Sequence, residues 1–255
     1  MSHTNDKSSA LTQGVVIFVY LTVLTVIEYL IAVTFKAVSI LVLVAVIKAA
    51  LVMYYYMHIY KLNEDSEGDE NSYSYKTDTN RLGLWLFLLS DAFVFAGLMT
   101  VRVNLLGLTR PHLNQILGVT VTAVLLLSSF FMNRGETAMA HGDKKGFMNN
   151  VVITFVLGLA FLLGVVLVEW RLAAAEGVIA SKDVAGAVFY MMTGMHAFHV
   201  FTGLIFLGVV WNNARKGVYS AEKHWGVEAA AVYWHFVDLV WIFFYPALYL
   251  IGKLI

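Results

Sequence analysis

Seven stretches of this chain are each long and apolar enough to cross a bilayer, and this restricts the fold more than any motif does. A hydrocarbon core of about 30 Å needs about 20 apolar residues in helical form. The stretches fall at 14–35, 38–60, 82–101, 113–133, 149–170, 186–211 and 226–251. Backbone inside lipid must satisfy its own hydrogen bonds, and within a single span only a helix does so. The expected fold is all-α, a polytopic membrane protein of seven transmembrane helices. Composition agrees: 60% of the 255 residues are hydrophobic and 13% charged, far from the balance of a soluble domain. Residues 1–13 are polar with one lysine, and the apolar run behind them ends without a small-residue cleavage pattern. The first stretch is therefore expected to be a retained span rather than a signal peptide.

The absence of cysteine excludes disulfides, thiolate chemistry and cysteine-based zinc, iron–sulfur or copper sites. Zero formal net charge gives nucleic acid no electrostatic footing. The longest polar stretch, 61–81, is rich in Glu, Asp, Ser and Asn. It reads as a solvated linker between a two-helix unit (1–60) and a five-helix unit (82–255). On the N-terminal side of the expected membrane are ten basic residues: Lys7, Lys61, Lys76, Arg81, Arg134, Lys144, Lys145, Arg215, Lys216 and Lys223. The opposite side has six: Lys36, Arg102, Arg110, Arg171, Lys182 and Lys253. This bias predicts a cytoplasmic N-terminus and an outside C-terminus.

Ionisable groups at membrane depth are costly, so each is a candidate for function or for interhelical pairing. Glu28 and Lys48 lie about 9 Å and 15 Å from the outer boundary at about 1.5 Å per residue. A snorkelling lysine stem covers that offset, so the first hairpin is expected to close an ion pair, a structural staple rather than a proton carrier. Asp91 sits mid-span in LWLFLLSDAFVFAG, hydrogen-bonded to a neighbouring helix or touching a partner subunit. His196 and His199 share one helix face with Thr193 and Gly203. Glu228, His235 and Asp238 form a stripe on the last span. His199 and Asp238 both fall about 18 Å from the inner boundary, which makes a hydrogen bond between them available. Three mid-span histidines are too few for haem or copper, so an interhelical network is the expectation. Glycines inside the spans, Gly97, Gly158 and Gly203 among them, are expected to let helices approach closely.

The last span, HWGVEAAAVYWHFVDLVWIFFYPALYL, closely resembles the final helix of subunit III of haem-copper (cytochrome c-type) oxidases. The match is at Glu228, Trp234, His235, Phe236, Val237, Asp238 and Trp241. YMMTGMHAFHVFTG is similar to the family's Thr-Gly-x-His-x-x-His-Val helix at Thr193, Gly194, His196, His199 and Val200. WLFLLSDAFVFAG resembles its Ser-Glu helix, with Asp91 in place of the usual glutamate. Glu169 falls where the family often has a glutamate near the end of its fifth helix. In the first unit, LVLVAVIKAALVMYYYMHIY resembles the second helix of the small bacterial subunit IV, at Ile47, Lys48, Ala49, Leu51, Val52, Met57 and His58. Residues 1–60 then read as subunit IV material fused to a five-helix subunit III. The alternative is a subunit III with seven helices of its own.

The resemblance implies a non-catalytic accessory subunit of a terminal oxidase in the bacterial plasma membrane, in a complex that reduces O2 and pumps protons. Such a subunit binds no metal cofactor; haem and copper belong to the partner subunits. It packs against subunit I, with subunit II in the same complex, holds phospholipid between its helices and supports proton uptake. Arg215 and His224, near the inner interface, are the expected contacts for an anionic lipid head group. Two rival readings are an accessory subunit of a nitric oxide reductase and a stand-alone proton-coupled transporter. For the transporter, neither a broken helix nor an inverted repeat is visible.

Overall fold

The computed structural model describes residues 2–35, 37–63 and 72–254. The centre of the acidic linker (64–71), and Lys36 from the basic count, lie outside the described residues. Among the described residues, seven helices are long and apolar enough to cross a membrane. They are α1 (Ser2–Thr34), α2 (Val38–Tyr56), α3 (Tyr73–Leu106), α4 (Gln115–Ala140), α5 (Lys144–Ala175), α6 (Val184–Arg215) and α7 (Trp225–Leu250). A parallel two-residue pairing, β1 (Thr109–Arg110) with β2 (Lys253–Leu254), joins the α3–α4 loop to the end of the chain.

Several helices outrun their apolar stretches because capping side chains start them in the polar loops. Ser72 Oγ accepts the Tyr75 amide at 3.2 Å, so α3 begins at Tyr73 and absorbs the part of the expected linker from residue 73 to 81. Asp143 Oδ1 accepts the Gly146 amide at 2.8 Å and starts α5. Such caps satisfy amides that the first helical turn leaves free. α4 continues past residue 133 to Ala140, carrying Glu136 into the interior. Three of the helices contain a wide π-helical turn, at Val52–Tyr56, Gly164–Glu169 and Pro246–Leu250.

α7 is the central element: 83% of its apolar window is buried, against 11% for α3 and 22% for α1. α4, α5 and α6 pack in sequence beside it, α1 lies on α4, and α2 lies on α7. The leading hairpin and the five later helices share one apolar core, in which Leu21, Val52 and Tyr56 join Leu125, Tyr245 and Leu248. The outward faces remain apolar, as lipid contact requires: Val19, Val23, Val26 and Leu30 on α1, and Leu86 and Phe93 on α3, are exposed.

Close approach depends on glycine where Trp234 wedges between α5 and α6. A Cβ on Gly158 would stand 2.4 Å from the Trp234 ring, and one on Gly203 2.9 Å from its other edge. The indole is also held by its Nε1 donating to Ser128 Oγ at 3.0 Å, so the ring has no direction in which to yield. Gly97, by contrast, has nothing within 4 Å of such a Cβ, and close packing does not account for it. Gly158→Ala is expected to cost about 1–3 kcal/mol by overpacking. Gly97→Ala is expected to lack that penalty, and thermal unfolding in detergent compares the two.

Candidate functional site

The polar side chains fall into three clusters, one at the end of the bundle where α7 begins and two at mid-span. In the first, Glu228 on the first turn of α7 receives Arg81 from α3, Nε at 3.0 Å and an Nη at 2.9 Å. Lys61 Nζ stands 3.8 Å from the same carboxylate, and Arg81 also binds Asp78 at 2.8 Å. These groups line a cleft of about 570 Å³ together with His224, Tyr73 and Trp225. Arg215 is not among its lining residues; its guanidinium stacks on Trp211 at 4.9 Å. The two expected head-group residues therefore occupy separate surroundings. Neither Arg81 nor Lys61 stood out in the sequence, because both looked like ordinary charges of a solvated linker.

Beside this cleft, His58 follows the end of α2 with a left-handed backbone, φ 52°. Its Nδ1 lies 3.0 Å from the Tyr56 carbonyl, which can only accept, so Nδ1 carries the proton. Burial, reinforced by Lys61, pushes its imidazole down to about 4. The folded protein thus keeps His58 neutral where an unfolded chain takes up a proton below about pH 6.5. Stability is expected to be complete above pH 6.5 and to decline as pH falls from there towards 4. Thermal midpoints in detergent across that range test this. His58→Asn, which tolerates the left-handed backbone, is expected to flatten the decline.

In mid-membrane, Asp91 of α3 meets His199 of α6, with Oδ2 3.0 Å from Nε2 but poorly aligned for a hydrogen bond. His199 Nδ1 donates to the Met195 carbonyl at 2.8 Å, and Phe95 lies edge-on to the ring at 4.7 Å. His196 Nε2 bonds the Val237 carbonyl at 3.0 Å, and its ring lies 4.8 Å from Trp241. The expected His199–Asp238 hydrogen bond is not formed. The side of α7 that meets His199 carries Tyr233, whose hydroxyl lies 3.4 Å from the His199 carbonyl, and Phe236 beside Phe95. Asp238 is two residues beyond Phe236, about 200° around the helix, and turns away.

The third cluster lies between the hairpin and α7. Lys48 Nζ donates to Glu28 Oε2, and both side chains are buried. His235 packs its ring on Tyr56 at 5.0 Å, and neither of its nitrogens has a protein partner among the described residues. Glu136 Oε2 also lacks one, while Ser129 of α4 lies beside the Asp238 carboxylate. Towards the far end of α7, Tyr249 donates its hydroxyl to Glu169. There Arg102, which the sequence placed among loop charges, is buried and grips the end of α7. Its Nε donates to the Ala247 carbonyl at 2.8 Å, and an Nη donates to Ile251 at 2.9 Å and Thr109 at 3.0 Å. The Gly107 carbonyl accepts from the other Nη. Among the described residues, no three His, Asp or Glu side chains converge in metal-binding geometry.

The comparisons with known proteins agree with one another. The family model described as Cytochrome c oxidase subunit III matches residues 3–253, through the hairpin as well as the later helices. Cytochrome c oxidase subunit 3 of Thermostichus vulcanus is 36% identical over 183 residues, 69% of this chain and 89% of the relative. That of Synechocystis sp. is 32% identical over 192 residues, covering 72% and 81% of the two chains. That of Gadus morhua is 32% identical over 188 residues, covering 68% and 70%. With its seven apolar helices, this multi-pass membrane chain belongs to the cytochrome c oxidase subunit III family and is part of an oxidase complex.

Proposed function

We propose that this chain is the non-catalytic third subunit of a haem-copper terminal oxidase, which stabilises subunit I, holds phospholipid between its helices and supports proton uptake. The observation that carries this reading is the family match from residue 3 to 253, over a chain in which the Glu28–Lys48 and Asp91–His199 pairs serve helix–helix contacts. Haem and copper then reside in subunits I and II. The N-terminus faces the cytoplasm, supported by the excess of basic residues on that side. In the inner cleft Lys61 and Arg81 are already matched by Glu228 and Asp78, with Glu222 also in the lining, so the head-group reading rests on His224 at its rim and on Arg215 as a separate contact on α6. The Lys48-centred string supports residues 1–60 as a fused subunit IV-like hairpin. A family match reaching through the hairpin favours seven helices native to subunit III.

Gentle solubilisation with a tag on this chain tests the reading. Haem absorption bands are expected to co-elute with it, and the haem type separates an oxidase from a nitric oxide reductase. A colourless, stable monomer would overturn the proposal and favour a stand-alone transporter.

A further inference from the structure

One face of α7 is polar along its whole length. Glu228, His235, Asp238, Tyr245 and Tyr249 follow at spacings of seven, three, seven and four, which sets them in one row. At about 1.5 Å per residue the row is about 31 Å long, the thickness of the hydrocarbon core. It faces protein rather than lipid: all five residues are buried, His235 lies against Tyr56 of α2, and Tyr249 lies against Gly118 of α4.

Buried atoms along this seam have no protein partner among the described residues. They are both ring nitrogens of His235 and Tyr245 Oη on α7, with Glu28 Oε1 across from them, while Ser129 of α4 lies beside the Asp238 carboxylate. Each such atom carries a desolvation penalty, and interior water relieves it where several polar groups line one space. Successive groups along the seam also act on one another electrostatically. His58 lies within electrostatic reach of both Glu228 and His235. The Lys48 charge acts on Asp238, and the Glu28 charge acts on Tyr245. Tyr245 stacks on Tyr249 at 5.5 Å, and Tyr249 donates to Glu169 near the far end. One fixed cation interrupts the series, the Lys48 ammonium beside Glu28.

We propose that the seam between the hairpin and α7 binds a file of water that admits protons from each face, and that Lys48 is the block that keeps the two halves apart. A proton passes along such a file when each group accepts on one side and donates on the other. An ammonium has three donors and no lone pair, so the relay stops there. Its positive charge also disfavours an approaching hydronium. The buried Asp238 and Glu169 thereby exchange protons with opposite faces while the membrane stays tight.

Passive proton influx tests this in vesicles holding the whole oxidase complex, driven by a potassium diffusion potential and read with a pH dye in the absence of turnover. The neutral pair Glu28→Gln/Lys48→Gln, whose amides both accept and donate, is expected to raise influx several-fold, and adding Asp238→Leu to return it to the parent level. A double variant as tight as the parent overturns the proposal, and so does a leak that survives Asp238→Leu. Should the double variant not assemble, hydroxyl-radical footprinting of the unaltered complex decides. Oxidation at His235, Tyr56 and Tyr245 well above that at Trp241 supports a water file, and labelling equal to Trp241 overturns it. Neither measurement depends on oxidase activity, so failure here leaves the family role untouched.

Discussion

Lys48→Ala is expected to destabilise the protein by about 3–5 kcal/mol, because it leaves the Glu28 carboxylate buried without a counter-charge. Glu28 is fully buried and Lys48 nearly so, on two helices whose other neighbours are mostly aliphatic. The reciprocal Glu28→Ala is expected to cost a similar amount, since an unpaired ammonium is no cheaper in the same place. The double replacement Glu28→Leu/Lys48→Met behaves differently. It removes both desolvation penalties together, and is expected to fall within about 1 kcal/mol of the parent or to exceed it. Thermal unfolding of the parent, Glu28→Leu, Lys48→Met and the double variant in one detergent completes the cycle. A double-variant loss equal to the sum of the two single losses would show that the pair has no coupling and would remove the staple from this account.

Arg102→Leu is expected to be nearly as damaging, about 3–5 kcal/mol, since hydrogen bonds to a charged donor are each worth about 1.5–3 kcal/mol and do not add fully. The guanidinium is shared among carbonyls of Gly107, Thr109, Ala247 and Ile251, which belong to two distant parts of the chain. Beside it, the Lys253 amide bonds the Leu108 carbonyl at 2.9 Å, and Gly252, at φ 109°, has the Leu108 backbone 2.7 Å from where a Cβ would stand. Without the arginine, buried carbonyls lose their donors and the end of α7 is released. Amide hydrogen exchange is expected to quicken across residues 107–110 and 247–254 and to stay unchanged around Trp234. Arg102→Lys is expected to recover only part of the loss, because an ammonium lacks the planar fork that serves several acceptors at once.

Hydropathy made all seven spans legible, since partition between water and hydrocarbon depends on each segment's own composition. Helix ends were less legible. Caps such as Ser72 and Asp143 extend α3 and α5 into polar sequence, where hydropathy falls silent. The Glu28–Lys48 pair could be anticipated because a short turn joins its two helices, which leaves little freedom in their offset. The His199 partner could not. Asp91 and Asp238 lie at comparable depths, and the choice between them depends on how α3, α6 and α7 are rotated. Arg81 and Arg102 were hidden for a related reason. Each sits at the edge of a span, where a basic residue ordinarily reports orientation, and only a distant segment gives it a second task.

The sequence alone determined that the chain is seven apolar helices, that it carries ionisable groups at membrane depth, and, through its Trp-His-Phe-Val-Asp string, which family it resembles. The tertiary structure decided that α7 is the central helix, that Asp91 rather than Asp238 meets His199, and that Arg102 fastens α7 to the α3–α4 loop. The division has a physical basis. Depth in a membrane is a property of one helix and its solvent, whereas the direction in which a side chain points is settled by the packing of several helices against one another.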